Sequence, residues 1–276
     1  MDKFPITVII PVRNEEKNLP HMLPLLKDFD EVIVVDSQST DRTQEIVKDF
    51  GYRLVEFEWN GHFPKKRNWT LRNVPIKNEW VFFLDADEYL TQDFLKGLTT
   101  AFKDAHNYVG FWVTYNCYFM GKELKHGDPI RKLALFKKSA GEYERIDAED
   151  DNKKWGYAGL ELHEHPVLNG EIGFIHGKID HKENRGLEAY IQKHNEFSSW
   201  EATRFLKSKE KGALTFRQKV KYGLMDSWWL GRLYYIYIYW WKGLFLDGRR
   251  GYIYAQFKKQ YFFNIKAKIE EIRNSN

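Results

Sequence analysis

A chain of 276 residues, 43% hydrophobic and 30% charged, is long enough for one large α/β domain with a sizeable core plus an appended segment, and its composition excludes a disordered chain. Its single cysteine, Cys117, excludes an intrachain disulfide and fits a reducing compartment. The net charge of +4 is uneven: Arg185 to Asn276 carries 18 Lys/Arg against 8 Asp/Glu, or +10, which leaves −6 on residues 1–184, so an acidic front half joined to a basic, aromatic tail points to two roles.

Residues 1–20 hold Pro5, Pro11, Arg13 and two glutamates without a long apolar region, so no signal peptide is expected and the expected compartment is the cytoplasm. Ile6 to Ile10 is a short apolar, β-branched run and reads as a buried strand. Glu15 to Asp28 has apolar residues at helical spacing. Glu31 to Val35 reads as a second strand, and Asp41 to Phe50 as a second helix that Ser39 or Thr40 could cap. Arg53 to Phe57 predicts a third strand, Phe63 to Val74 a helix, and Trp80 to Leu84 a fourth strand running into acidic residues. Strands alternating with helices imply a mostly parallel sheet, and ligands of such sheets bind outside the carboxyl ends of the strands. Three of the four strands end in polar residues suited to chemistry: Arg13-Asn14-Glu15, Asp36-Ser37 and Asp85-Ala86-Asp87-Glu88.

After about residue 105 the pattern changes. Tyr108 to Phe119, which contains Cys117 as an expected core side chain, and Arg131 to Lys137 predict strands of a mixed or antiparallel extension. Gly186 to Lys211 predicts a helix with Leu187, Tyr190, Ile191, His194, Phe197 and Ser198 on one face. The expected domains are therefore 1–184, divided into 1–105 and 106–184, and a helical region 185–276.

Asp85 and Asp87, one residue apart just past a buried strand, can meet a divalent cation without disturbing that strand. Hard cations such as Mg²⁺ or Mn²⁺ take oxygen ligands and keep positions open for phosphate. Asp36, at a strand tip, can accept from a nucleobase imide or a ribose hydroxyl.

Ile9-Ile10-Pro11-Val12-Arg13-Asn14-Glu15, Asp36 through Asp41, Lys66-Arg67-Asn68 and Asp85-Ala86-Asp87 stand in the order and spacing of inverting glycosyltransferase family 2, which this chain resembles over roughly residues 5–90. The resemblance implies the GT-A fold, a Rossmann-like nucleotide-diphospho-sugar transferase architecture with a C-terminal helical, aromatic-rich extension. It implies that Pro11, Arg13, Glu15 and Ala86 line the nucleotide-sugar pocket and that Asp36 faces the base, usually uracil. Arg67 would reach the base or diphosphate, Asp85 the ribose or metal, and Asp87 the metal. Residues 1–105 would be the nucleotide-sugar half and 106–184 the acceptor and base half.

Ser37 stands where many members have a second aspartate, a variant that resembles a narrower subgroup, the bacterial lipopolysaccharide-core β-glucosyltransferases. Arg131 to Phe136, Leu162-His163-Glu164, Ile179-Asp180-His181 and Gly243 to Gly248 resemble its later landmarks, whereas Glu142 to Lys154 is longer and more acidic than expected there. The expected activity is non-processive transfer of a hexose, glucose above all, from a UDP-sugar to a glycolipid or core oligosaccharide. Inversion needs a base at the acceptor hydroxyl; Glu164 is the first choice, with Asp150 and Asp151 as rivals, and His181 is the expected third metal or phosphate ligand.

Ser227 to Lys242 holds four of the ten tryptophans, yet its longest apolar run is far short of the ~20 residues that span a bilayer. Trp and Tyr with flanking Lys/Arg suit an inner-leaflet surface, so peripheral membrane association is expected, the alternatives being a helical pack or an oligomer contact. A sugar nucleotidyltransferase is the rival enzyme class, but its early glycine-rich phosphate loop is replaced by Pro11 to Glu15. A non-catalytic sugar-nucleotide-binding protein would have no need of both Asp85 and Asp87. Processive synthases carry a Gln-x-x-Arg-Trp signature, which is missing, and no RNA-binding motif supports a nucleic-acid platform.

Overall fold

The computed structural model describes residues 3–60, 64–143, 166–182, 186–210 (207–210 as backbone only) and 223–275. These fall into two compact units, Met1–Asn116 with Ile130–Asn184, and Cys117–Pro129 with Arg185–Asn276.

The first unit is organised by parallel strands β1 (Phe4–Val12), β2 (Phe29–Asp36), β3 (Arg53–Glu56) and β4 (Trp80–Phe83), with β1 between β2 and β4 and β3 outside β2. Both faces of this sheet are covered, which is why its strands are near-continuous apolar runs and not alternating ones. From β1, Ile6, Val8, Ile10 and Val12 enter one cluster with Leu19, Phe82, Phe94 and Leu98, while Ile9 enters the opposite one with Val35, Leu71 and Phe83. The polar exception, Thr7, is fully buried and donates to Glu31 Oε2 at 2.6 Å.

The helices of this unit are α1 (Leu19–Met22), α2 (Thr43–Asp49), α3 (Lys66–Asn73) and α4 (Gln92–Lys103). The helix expected over residues 15–28 is thus far shorter. It begins at Leu19 and passes into a 3₁₀ turn at Leu23–Leu26, because Pro20 and Pro24 lack the N–H groups that a continuous α-helix requires. The cap expected for α2 is also different. Neither Ser39 nor Thr40 caps it; Asp41 Oδ1 instead accepts from Thr43 N at 3.0 Å, and the two hydroxyl residues serve the loop described below.

The chain then supplies β5 (Glu88–Tyr89), β6 (Gly110–Phe119), β7 (Lys122–Leu124), β8 (Ile130–Lys137), β9 (Gly141–Tyr143), β10 (Pro166–Leu168) and β11 (Ile172–His181). Among the described residues the sheet runs β3-β2-β1-β4-β8-β6-β11-β5, and β9 pairs with β10 apart from it. β8 lies antiparallel to β4 and to β6, as the expected extension requires, and β5 pairs antiparallel with β11, setting His181 opposite Glu88. This return brings β11 back to the acidic end of β4.

In the second unit β6 continues into a hairpin with β7, and the helices are α5 (Gly186–Glu210), α6 (Leu230–Ile236), followed by a π-turn at Tyr237–Trp241, and α7 (Gly248–Ser275). α5 packs on α7 through Ala202 and Phe205 against Ile265 and Ile269. Of the face expected for α5, Tyr190, His194 and Ser198 pack inward, but Leu187 and Ile191 are exposed, so the packed stripe is narrower than expected. A second cluster joins Phe119 and Leu124 to Ile238, Leu244 and Ala255. Cys117 lies beside it, half-buried, with burial raising its thiol pKa and the Tyr254 hydroxyl 4.0 Å away.

α4 starts at Thr91, whose hydroxyl accepts from Phe94 N at 3.1 Å, and rests on β11 at Gly97. A β-carbon at Gly97 would sit 1.5 Å from the His176 carbonyl oxygen, a clash with backbone that no rotamer relieves. Gly97→Ala should therefore destabilise the chain by on the order of 3 kcal/mol, the upper range for overpacking. Thr99→Ala, at an exposed position of the same helix, should change stability by less than ~1 kcal/mol in the same urea titration.

Candidate functional site

The loops that follow β1 and β2 are laced together, and the motif residues do the lacing. Asn14 and Gln38 have φ of 56° and 55°, in the left-handed region that asparagine tolerates better than most residues. From that conformation Asn14 N donates to Ser39 Oγ and Asn14 Oδ1 accepts from Thr40 N, both at 2.8 Å. Glu15 N donates to Thr43 Oγ1 at 2.8 Å and Glu16 N to Asp41 Oδ2 at 3.1 Å. Glu15 also accepts from Asn18 Nδ2 at 2.7 Å, and Asn18 in turn accepts from the Tyr89 hydroxyl of β5 at 3.1 Å. Pro11 is half-buried at the end of β1, and Arg13 is exposed beside the laced loop.

Asp36 is fully buried. Its carboxylate accepts from Ser39 N at 3.0 Å, from Gln44 Nε2 at 2.7 Å and from the Ser39 hydroxyl. Asp36, expected to face a base, pins residues 37–41 through these bonds, because a buried carboxylate needs hydrogen-bond donors to be stable.

At the end of β4, Asp85 accepts from Arg67 Nη2 at 3.1 Å and from Lys132 Nζ at 2.7 Å. Arg67, on α3, is held further by the face of Tyr143, 5.2 Å from its guanidinium carbon. Its neighbours fix the helix: Lys66 Nζ donates to Val12 O at 3.1 Å, and Asn68 exchanges two hydrogen bonds with the Tyr143 backbone. Ala86 is buried. Asp87, also buried, lies 3.4 Å from His181 Nε2.

Glu88 is buried at the base of the cluster. It pairs with Lys132, accepts from Asp85 N at 3.2 Å and lies 3.3 Å from the Tyr115 hydroxyl. Burial raises the Glu88 pKa, opposed by the Lys132 charge. Burial disfavours the Lys132 ammonium, but Asp85 and Glu88 outweigh it and hold its pKa well above the ordinary lysine value, so it stays charged. Burial, and then the Glu88 charge, keeps the Tyr115 phenol protonated and a donor. At His181, burial works against the imidazolium, yet the hydrogen bond and charge of Asp87 prevail and raise its pKa.

The structure thus gathers Arg67, Asp85, Ala86, Asp87 and His181 at one end of the sheet. The three expected metal ligands are divided, however: Asp87 faces His181, while Asp85 is held by two cationic side chains. Among the described residues no three acidic, histidine or cysteine side chains form a ready-made cation cage. Glu164, Asp150 and Asp151 lie outside the described residues. Sequence reasoning gave no role to Lys132 and Tyr115, whose contacts with Asp85 and Glu88 arise from strand pairing between distant segments. The available signal was Lys132 standing directly before the apolar run Leu133–Phe136 of the strand Ile130–Lys137.

The model of glycosyl transferase family 2 matches residues 7–159, more than half of the chain. The chain belongs to glycosyl transferase family 2. It is 26% identical over 275 residues to the lipopolysaccharide core biosynthesis glycosyltransferase LpsC of Rhizobium meliloti, covering 97% of this chain and 92% of that protein. It is 27% identical over 242 residues to glycosyltransferase RT0209 of Rickettsia typhi, covering 84% and 76% respectively. Among solved structures, the mannosyltransferase PcManGT of Pyrobaculum calidifontis, in complex with GDP-Man and Mn²⁺, superimposes with a TM-score of 0.53 at 17% identity, over 97% of this chain and 87% of that one. The fold of this family 2 glycosyltransferase is accordingly GT-A.

Lys132→Met should leave Asp85 and buried Glu88 confronting each other and cost about 2 kcal/mol, less than the ~3–5 kcal/mol of a fully buried pair because Lys132 is partly solvated. Adding Glu88→Gln should restore part of that loss. A thermal-denaturation double-mutant cycle with no coupling between the two positions would contradict the assigned pairing.

Proposed function

We propose that this glycosyltransferase moves a single hexose, glucose above all, with inversion, from a UDP-sugar to a glycolipid or core-oligosaccharide acceptor in cell-envelope synthesis. The observation that carries this reading is the gathering of Arg67, Asp85, Asp87 and His181 beside the laced β1 and β2 loops in a family 2 chain. Likeness to a protein named for lipopolysaccharide core biosynthesis supports the acceptor class.

The donor set of carboxylate oxygens and an imidazole nitrogen suits a divalent cation of the Mn²⁺ or Mg²⁺ kind, and the fold neighbour PcManGT was solved with Mn²⁺. Asp85 and Asp87 would hold it with His181. When bound, such a cation neutralises charge on the departing diphosphate. Arg67, and Arg13, which is exposed beside the laced loop, would face the diphosphate. Pro11, Glu15 and Ala86 shape the nucleotide pocket, and Asp36, which also fixes the Ser39 turn, faces the base. Glu164 serves as the base that takes the acceptor proton, with Asp150 and Asp151 as its rivals for that role.

Among the described residues no helix is long and apolar enough to cross a membrane. The enzyme is proposed to work in the cytoplasm, peripherally at the inner face of the membrane that carries its acceptor.

Nucleotide sugars, UDP-glucose and GDP-mannose included, should be screened for Mn²⁺-dependent hydrolysis and then for transfer to core-oligosaccharide acceptors; turnover confined to a guanosine donor would overturn the UDP assignment. Glu164→Gln should reduce transfer by ~10²–10⁴-fold while donor affinity, measured calorimetrically, is unchanged. Normal turnover in that variant would remove Glu164 from its role.

Because Asp87 raises the His181 pKa, a cation bound there must displace a proton. Mn²⁺ affinity should consequently fall as pH drops from 8 to 6, by up to ~10-fold per unit below the His181 pKa, and His181→Gln should flatten the profile in calorimetric titrations.

A further inference from the structure

The second unit turns an apolar helix face outward. On α6 and its π-turn, Gly231 and Ile238 are buried, and a β-carbon at Gly231 would meet the Lys259 carbonyl oxygen of α7 at 2.6 Å, so this side of the helix lies directly on its neighbour. The opposite side carries Trp229, Leu233, Ile236 and Trp240, spaced as one helical stripe, with exposures of 62%, 53%, 55% and 61%. Trp241 follows at 84% and Leu246 at 62%. Isolated apolar side chains on a surface are ordinary; a contiguous stripe of this size is not.

Charge accompanies the stripe. Residues 227–246 contain Arg232 and Lys242 and no carboxylate. The Arg232 guanidinium lies 4.9 Å from the ring centre of Trp229, and the Lys242 ammonium 5.5 Å from that of Tyr237, so cations and aromatic rings share one surface. The carboxylates that border the segment are engaged inward: Asp226 holds Lys266 and Arg273, and Asp247 accepts from Lys125 N and His126 N. Asp128, 3.8 Å from Lys242, also accepts from the Tyr234 hydroxyl.

We infer that the stripe from Trp229 to Leu246 is the membrane-contacting surface of this protein, lying in the plane of an anionic phospholipid bilayer with its tryptophans at headgroup depth and Arg232 and Lys242 against lipid phosphates. This rests on the proposed peripheral location and gives it a definite surface. Eleven residues of helical rise carry the stripe only about 16 Å, which suits a segment lying along the interface and not one crossing it. Tryptophan and tyrosine partition to this boundary because a large apolar ring and a polar N–H or O–H are satisfied there together. A second copy of the chain is the weaker occupant, since the stripe would then set Arg232 and Lys242 of one copy near those of the other with no carboxylate in the segment to answer them.

The test is flotation of the full chain with vesicles of phosphatidylcholine alone or with 30% phosphatidylglycerol, together with sedimentation velocity. The wild type should float with the anionic vesicles and remain behind with the neutral ones. Trp229→Ser/Trp240→Ser/Trp241→Ser should lower anionic-vesicle binding at least tenfold. Arg232→Gln/Lys242→Gln should lower it by about fivefold per charge. Trp229, Trp240, Trp241 and Arg232 are exposed, and half-buried Lys242 gives up only a partly solvated ion pair with Asp128, so stability should change by less than ~1 kcal/mol in both variants, and tryptophan quenching by bromolipids should report the interfacial depth directly. Metal-dependent hydrolysis of a nucleotide sugar without acceptor should be unchanged in both variants, which separates loss of this surface from failure of the transferase reading. Equal vesicle binding by wild type and the tryptophan variant would overturn the proposal. So would a wild-type dimer that the tryptophan variant dissociates while neither binds vesicles.

Discussion

The charge of Lys132 is the interaction on which the chemical end of the first unit depends. β4 ends in Phe83, and within the next five residues the chain places Asp85, Asp87 and Glu88 together, three carboxylates that repel one another as they leave water. Burial alone would force such a group to take up protons. Lys132, delivered by β8 across an antiparallel pairing with β4, sits between Asp85 and Glu88, and its charge opposes that uptake at both. The antiparallel extension therefore does more than widen the sheet. It carries the cation that lets the parallel half end in acids.

The same economy governs the loops at the ends of β1 and β2. A binding pocket needs loops of one fixed shape, yet loops lack the ladder bonds that fix strands. Here side chains substitute for the ladder: Asn14 accepts a left-handed backbone and spans to Ser39 and Thr40, and Asp36 gathers Ser39 and Gln44. The polar residues that mark the family in sequence include several whose work in the structure is to hold others. Arg13 is exposed beside this knot. Preorganisation of this kind reduces what a bound ligand must order.

How much could be read beforehand follows from the range of the forces involved. β1, β2 and β4 were legible because burial on both faces writes an unbroken apolar run into a few consecutive residues. Asp85, Asp87 and Arg67 were legible from their order along the chain. The helix after Glu15 was misjudged in length because apolar spacing continues through Pro20 and Pro24, whose missing N–H groups stop it. The part Asp36 plays in holding its own loop was not legible, because a strand-tip carboxylate looks the same in sequence whether or not its loop folds back on it. Lys132 and Tyr115 were illegible for a different reason: their partners lie 47 and 27 residues away, and only the pairing of β8 with β4 and β6 brings them together.

The second unit shows where periodicity stops being informative. A helix that is apolar all round is ordinarily a buried one. The run from Trp228 to Trp241 is rich in aromatic residues on every side, so its sequence leaves open which face packs. Gly231 decides it: only a residue without a side chain allows the helix to approach the backbone of α7, and that contact fixes the rotation of everything else. With Gly231 and Ile238 inward, Trp229, Leu233, Ile236 and Trp240 must point away from α7. Enlarging Gly231 would rotate the stripe or lift the helix. Exposing tryptophan forgoes roughly 25 cal/mol for each Å² of apolar surface left in water. A fold seldom leaves that stabilisation unused on four neighbouring positions unless another apolar phase supplies it, and the absence of carboxylates between Asp226 and Asp247 indicates which phase that is.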